Sequence, residues 1–283
     1  MSVAGPIARA AEAVAAADAL LIGAGAGMGV DSGLPDFRGR EGFWNAYPPY
    51  AKLGLDFAQL ASPHWFRRDP ALAWGFYGHR LGLYRSTVPH EGFQILRRLA
   101  GRMNHGEFAY TSNVDGQFQR AGFPADRIHE VHGAIGLMQC LDDCGVGIFR
   151  AGGVAVEIDP GTMRAVGGLP TCPDCGSLAR PNILMFGDGG WDPSVSDAQA
   201  GRLRAWLEAI VEADARLVIV ECGAGTAVPT VRRFCERLLA IPGATLVRIN
   251  PREPEGPAGT ISIATGALEA MRSINSHIEN HRH

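Results

Sequence analysis

Several things are scarce in this chain of 283 residues, and each scarcity excludes a class of protein. Charge of one sign is missing: 26 Lys and Arg stand against 29 Asp and Glu, for a net charge of -3. That balance gives no global electrostatic reason to bind nucleic acid or an anionic membrane. Long apolar runs are missing too, since nothing approaches the roughly 18 uninterrupted apolar residues of a membrane span. The first residues, Met1-Ser2-Val3-Ala4-Gly5, lack a basic segment followed by an apolar one. The expectation is a soluble, cytoplasmic protein with neither a membrane nor a nucleic acid as direct partner. Internal repeats and low-complexity runs are absent. Cysteines number only six, and four of them form two close pairs, Cys140/Cys144 and Cys172/Cys175, which is metal-ligand spacing rather than a disulfide framework.

What is abundant is apolar residues and turn formers. The chain is 46% hydrophobic and 19% charged, with 37 glycines and 18 prolines, a globular composition with many tight loops. An Ala-rich helical stretch over 6–17 leads into the apolar run Ala19-Leu20-Leu21-Ile22, which breaks into Gly23-Ala24-Gly25-Ala26-Gly27-Met28-Gly29. This reads as helix, buried strand, then a glycine loop opening a second helix. Buried-strand runs recur at Phe108–Thr111, Ile183–Phe186, Leu217–Val220 and Leu246–Ile249, and helical patterns at 92–100, 198–213 and 230–239 precede three of them. The alternation predicts an α/β fold with a doubly wound, mainly parallel, Rossmann-like sheet. Two stretches break the rhythm: 47–88 is aromatic-rich and helical, and 136–180 is Gly-rich and holds the paired cysteines. The expected division is a discontinuous Rossmann-like domain of 1–46, 89–135 and 181–275. A helical module at 47–88 and a metal-binding module at 136–180 then form an inserted small domain, and 276–283 is a frayed tail.

The glycine loop lacks the G-x-G-x-x-G spacing of dinucleotide sites and the Lys-Ser/Thr of a P-loop. Backbone N–H groups at a helix N-terminus still suit a phosphate, and a tight helix–strand contact is the other reading. Behind it, Asp31-Ser32-Gly33-Leu34-Pro35-Asp36-Phe37-Arg38 packs acid, aromatic and base into a loop, a polar density that suits a held ligand. Thr111-Ser112-Asn113-Val114-Asp115-Gly116 follows a buried strand, where ligand-facing residues of open α/β sheets emerge. Asn113 and Asp115 suit a ribose and a carboxamide; a turn capped by its own side chains is the other reading. In Glu130-Val131-His132-Gly133 the imidazole is a candidate general base or a simple packed histidine. Cys140-x3-Cys144, 27 residues, then Cys172-x2-Cys175 matches a four-thiolate zinc ribbon. Four ligands leave no open position, so one structural zinc is expected to staple the insertion. The other reading buries four free thiols and drags Asp142 and Asp143 into a core. Cys222 and Cys235 read as small core residues.

In this order the blocks resemble the sirtuins, the NAD-dependent protein deacylases, over residues 15 to 270. Gly25 to Arg38 resembles the family's first signature, Thr111 to Asp115 the second, His132-Gly133 the third, and the cysteine pairs its zinc module. Arg180 to Asp188, Gly223-Ala224-Gly225-Thr226 and Ile249-Asn250 resemble the remaining segments. The resemblance implies NAD as co-substrate and an acyl-lysine protein or peptide as partner. It puts Gly25, Ala26 and Gly27 at the pyrophosphate, Phe37 beside the nicotinamide ribose, and Asp36 and Arg38 in the loop over NAD. Ser112 and Asn113 lie at the ribose and Asp115 at the carboxamide, with Gly223, Gly225, Thr226, Asn250 and Ala267 around the adenosine half. Phe186 and Gly187 fall on the substrate side. The implied chemistry is attack of the acyl carbonyl oxygen on the ribose carbon that loses nicotinamide, then activation of the 2′-hydroxyl through His132, with Asn113 assisting. The products are nicotinamide and O-acyl-ADP-ribose. Mono-ADP-ribosyl transfer to a protein is the alternative on the same fold.

The chain departs from the family's usual residues at Gly29 (Ser), Ser112 (Gln), Phe118 (His) and Asp188 (Glu), and in Gly189 to Pro193. Finally, Tyr77 and Arg80, three apart on one helical face, resemble the Tyr-x-x-Arg pair of sirtuins that accept acidic acyl chains. A phenol and a guanidinium can clamp a carboxylate; the other reading is an aromatic core stripe beside a solvated Arg.

Overall fold

The computed structural model describes residues 5–35, 43–45 and 47–281. Helix α1 (Pro6–Ala16) starts on Pro6, whose missing N–H costs nothing in a first turn. It feeds β1 (Ala19–Ala24), which is buried along its whole length. A 3₁₀ turn (Ala26–Ser32) follows in place of the α-helix expected after the glycine loop, and it ends on Gly33 at φ 86°. Among the described residues the helices with given bounds that follow are α2 (Pro48–Lys52), α3 (Phe57–Leu60), α4 (His64–Arg68), α5 (Pro70–Ser86) and α6 (Glu91–Ala100). Strand β2 (Glu107–Thr111), the one-turn α7 (Gln117–Arg120) and β3 (Ile128–Glu130) lead into the small strands β4 (Gly133–Cys140), β5 (Ile148–Arg150), β6 (Glu157–Asp159), β7 (Arg164–Val166) and β8 (Ala179–Ile183). The chain closes with α8 (Ser194–Glu212), β9 (Leu217–Cys222), α9 (Thr230–Arg237), β10 (Thr245–Ile249), β11 (Ile261–Ile263) and α10 (Ala267–Asn280).

Six strands form one sheet in the order β11-β10-β9-β1-β2-β3, and every pairing is parallel. Side chains alternate across it with period two. Leu20 and Ile22 pack with Ala11, Phe93 and Ile274 on one face, while Ala19 and Leu21 pack with Trp206, Ile210 and Val231 on the other. Both faces are therefore covered, which is why these strands read as unbroken apolar runs. The strand order reverses between β1 and β9. Gly25 and Gly223 follow the carboxyl ends of these two strands, so both loops open at the point where open α/β sheets bind ligands.

The remainder builds on a third apolar cluster around Phe43, Tyr50, Phe66, Trp74, Phe76 and Met138. Here β4 pairs antiparallel with β5 and β8, and β6 with β7. Helix α5 lies directly on the β6–β7 hairpin: a Cβ on Gly75 would fall 2.1 Å from Met163 O, and one on Gly78 would fall 2.7 Å from the Val156 side chain. Glycine at both positions permits that approach, and it turns Tyr77, Arg80 and Tyr84 toward the main sheet's loops.

Two expectations change. The strand foreseen at Ile183–Phe186 is β8, ending at Ile183 and belonging to the small antiparallel sheet. Leu184 and Phe186 are 39% and 48% exposed, because they line a cavity instead of filling a core. The stretch from 276 continues α10 through Asn280, held by Ile274 and Ile278 in the core, rather than fraying. Among the described residues no helix is long and apolar enough to cross a membrane.

Candidate active site

A cavity of about 980 Å³ lies over the carboxyl ends of β1, β2 and β9 and is closed on its far side by α3, α5 and the residues after β8. Its floor is built by backbone. Gly25 N donates to Cys222 O and Gly27 N to Gly223 O, both at 3.0 Å, so the two glycine loops cross in contact. Gly223 has φ 63°, and a Cβ there would lie 2.4 Å from Gly27; on Gly25 it would lie 2.6 Å from Ala224. Side chains are excluded from this floor, which leaves a shallow backbone cradle of the kind a pyrophosphate approaches.

Over the cradle sits the loop after β2. Thr111 Oγ1 donates to Ala24 O at 3.0 Å and accepts from Asn113 N at 3.0 Å, while Asn113 Nδ2 donates to Gly25 O at 2.9 Å. Asn113 is thus fixed to the glycine loop. Asp115 lines the cavity and also accepts from Gln117 N at 2.9 Å, so the ligand-facing and turn-capping readings both describe it. Burial raises its carboxyl to about 6. Ser112 and His132 line the same wall. Burial holds the His132 imidazole below its ordinary value, which keeps it neutral at pH 7 and able to accept a proton. Its Nε2 lies 3.4 Å from Thr230 Oγ1, and its carbonyl accepts from Leu184 N at 3.0 Å, tying the imidazole's strand end to the segment after β8.

From the opposite side, α5 presents Tyr77, Arg80 and Tyr84, respectively 1%, 6% and 5% exposed, all lining the cavity. Arg80 Nε and Nη2 donate to Tyr84 Oη at 2.9 and 2.7 Å. The solvated Arg of the alternative reading is therefore buried, among the rings of Phe57, Phe76, Tyr77 and Tyr84.

Of the other expected residues, Ala26, Gly225, Thr226 and Phe186 line the cavity. Gly27, Asn250, Ala267 and Gly187 do not. Gly27 lies behind the lining as a backbone partner of Gly223. Asn250 is fully buried and organises loops: Nδ2 donates to Ala224 O at 2.9 Å, and Oδ1 accepts from Arg252 N and Glu253 N. Ala267 opens α10 within the core, and Gly187 turns the chain at φ 69°. Asp36, Phe37 and Arg38 lie outside the described residues. Sequence reasoning passed over Tyr84, Arg252 and Glu253, which also line the cavity. Tyr84 had a usable signal, four residues beyond Arg80 on the same helix. Glu253 had none, since it is its bonds to Thr226 N and Oγ1, at 3.0 and 2.5 Å, that bring it to the cavity from a Pro-rich loop.

Away from the cavity, Cys140, Cys144, Cys172 and Cys175 bring their four Sγ atoms within 4.8 Å of one another. Cys140 and Cys175 are 3.6 Å apart and Cys144 and Cys172 3.5 Å. A tetrahedral zinc with bonds near 2.3 Å separates its sulfurs by about 3.8 Å, so the cluster fits a structural zinc. Asp142 and Asp143 point outward, Asp142 onto Arg67 at 3.0 Å, as the knuckle reading requires. None of the four cysteines lines the cavity.

The Sir2 family model matches residues 25–218. A protein of Archaeoglobus fulgidus described as NAD-dependent protein deacylase 1 is 30% identical over 255 residues, covering 90% of each chain. An NAD-dependent protein deacylase of Thermus thermophilus is 32% identical over 255 residues, covering 87% of this chain and 85% of its own. Among solved structures, a Sir2 homologue in complex with NAD superposes with a TM-score of 0.68 at 26% identity, over 96% of this chain and 93% of that one. With the reversed strand order, the backbone cradle and the four-thiolate cluster in place, the chain belongs to the Sir2 family.

Proposed function

We propose that this Sir2-family protein, an NAD-dependent protein deacylase, acts on acyl-lysine side chains and favours acyl chains that end in a carboxylate. The observation that carries the reading is convergence: Asn113 and Asp115 from the loop after β2, His132 from the turn before β4 and Arg80 from α5, three separate segments, line one cavity above a side-chain-free backbone floor. NAD, when bound, supplies an activated ribose carbon and a nicotinamide leaving group. The chain supplies the rest. Its glycine loops give the pyrophosphate a close approach to backbone where no large side chain intrudes, Asn113 orients the nicotinamide ribose, and Asp115 meets the carboxamide. The neutral His132 accepts the proton of a ribose hydroxyl at its imidazole. Apolar residues around the mouth, Val228, Leu184 and Phe186 among them, exclude water from the acyl-lysine tunnel. Arg80 at the far end, with Tyr77 beside it, supports an acidic acyl preference.

His132→Ala should keep NAD binding and lose turnover by about 10² or more, the range for a general base. Mass spectrometry of the products with acetyl- and succinyl-lysine peptides tests the reaction class: O-acyl-ADP-ribose is expected. ADP-ribose transferred to protein, with no acyl product, would replace this reading with the transferase one. Arg80→Met tests the acyl preference and should cost about 2–5 kcal/mol of kcat/KM for a succinyl peptide, the range for a buried charge losing its partner. An unchanged succinyl-to-acetyl ratio would return α5 to a packing role.

A further inference from the structure

Asp115 reaches the cavity from a turn that has little of its own to hold it. Its carboxylate accepts from Gln117 N at 2.9 Å, across Gly116, which sits at φ 70° with no side chain to restrain it. Gln117 opens α7, a single turn of four residues. The turn is anchored through the Gln117 side chain, which is buried and whose Oε1 accepts from Ser32 Oγ at 3.0 Å. Ser32 ends the 3₁₀ turn that begins at Ala26 beside the backbone floor, and its Oγ also accepts from His90 N at 3.0 Å. His90 returns to the same 3₁₀ turn: its Nδ1 accepts from Gly92 N, so Nε2 carries the proton and donates to Met28 O, both at 3.0 Å. Asp115 is thereby joined to the floor by one line of hydrogen bonds through Gln117, Ser32, His90 and Met28. The rest of the Gln117 amide is costly. Its Nε2 is enclosed without a hydrogen-bond partner among the described residues, a penalty that a leucine of nearly the same size would avoid. Packing alone gives no reason for an amide here.

We propose that Ser32 and Gln117 are positioning residues that hold Asp115 against the nicotinamide carboxamide, braced on the same floor that receives the pyrophosphate. The inference rests on the reading of Asp115 as the group that meets the carboxamide. A carboxylate that accepts from an amide N–H tolerates little error in direction, since the bond weakens steeply as it bends. Rotation at Gly116 would supply that error, and the Ser32–Gln117 bond opposes it. Because the brace stands on the 3₁₀ turn that follows the glycine loop, the spacing between the two ends of NAD is set inside one hydrogen-bonded unit rather than between two independent loops. Neither Ser32 nor Gln117 lines the cavity, so both act through Asp115 rather than by touching the cofactor.

Nicotinamide and ADP-ribose divide NAD into the end that Asp115 meets and the remainder, so inhibition by each, measured with one acetyl-lysine peptide, reads the two ends separately. The enzymes are wild type, Ser32→Ala, Ser32→Thr, Gln117→Leu and Asp115→Ala. In Ser32→Ala and Gln117→Leu the Ki for nicotinamide should rise about five- to tenfold, the worth of one buried hydrogen bond, while the Ki for ADP-ribose stays within about twofold. Ser32→Thr keeps the hydroxyl and should stay near wild type. Gln117→Leu should keep or raise Tm, because it removes an unbonded buried donor. Ser32→Ala, at a half-buried position, reports even if the leucine variant folds poorly. A nicotinamide Ki unchanged in both variants, or rising in step with that for ADP-ribose as a loosened fold would make it, would overturn the brace while Asp115→Ala still weakens nicotinamide. Unchanged inhibition by nicotinamide in Asp115→Ala would instead overturn the carboxamide reading beneath it.

Discussion

Asp188→Asn should unseat the substrate-side loop and much of the protein's stability with it. The side chains of Arg180 and Asp188 are 2% and 0% exposed and meet at 2.8 Å. The same carboxylate accepts from Met185 N at 3.3 Å and Gly190 N at 3.2 Å, so it closes the loop that carries Leu184 and Phe186 to the cavity. An Asn keeps one acceptor oxygen for two backbone donors and turns an amide N–H₂ toward a cation. Arg180 is then left with Gln139 Oε1 at 3.4 Å and the Met185 sulfur at 4.0 Å. Breaking a buried pair by removing one partner typically costs about 3–5 kcal/mol. Against a net stability of about 5–15 kcal/mol, that is a fall in Tm on the order of 10 °C for a chain of this size. Calorimetry of wild type, Asp188→Asn and Asp188→Glu reads the effect, with KM for an acyl peptide as the second readout. Glu keeps the charge and strains the fit by one methylene, which overpacking makes a smaller loss of about 1–3 kcal/mol. A Tm for Asp188→Asn within about 2 °C of wild type, or equal losses for Asn and Glu, would refute the claim that charge at this position holds the loop.

Removing zinc by chelation, or Cys172→Ser, should lower Tm and solubility, with activity lost through unfolding; about one zinc per chain should survive dialysis, and a metal-free protein of full stability would contradict the staple. Glu130, fully enclosed between β3 and α8 beside Gln199, is raised by burial from 4.5 to about 7. The folded chain therefore holds a proton that the unfolded chain has released, so this stabilising contribution is complete below pH 4.5 and is lost as pH rises through 7. Glu130→Gln should raise stability at pH 8 by on the order of 1–3 kcal/mol, at 1.36 kcal/mol per pKa unit, and the gain should vanish toward pH 4; a gain that does not depend on pH would show that the carboxyl is not the cause. Gly223→Ala, which must hold φ 63° and place a methyl 2.4 Å from Gly27, should cost about 2–4 kcal/mol and abolish NAD binding by calorimetry; normal affinity would mean the cradle is not where the pyrophosphate lies.

The sequence by itself determined whatever depends on local periodicity or on ligand spacing. Strands β1, β2, β9 and β10 are legible because a parallel strand covered on both faces has no polar side to interrupt its apolar run. The cysteine pairs are legible because a tetrahedral ion fixes the spacing of its knuckles wherever the connecting loop goes. The glycine loops are legible because two crossing backbones leave no room for a Cβ. Only the tertiary structure decided the rest. Strands β3 and β11 are three residues each and are held by pairing with β2 and β10 rather than by propensity. The apolar run at Ile183–Phe186 carries no sign of whether it fills a core or lines a cavity; the turn at Asp188, tied to Arg180, sends it to the cavity. Tyr84 and Glu253 become site residues because α5 lies against one hairpin and Asn250 ties down one loop, contacts between segments far apart in the chain that no local pattern encodes.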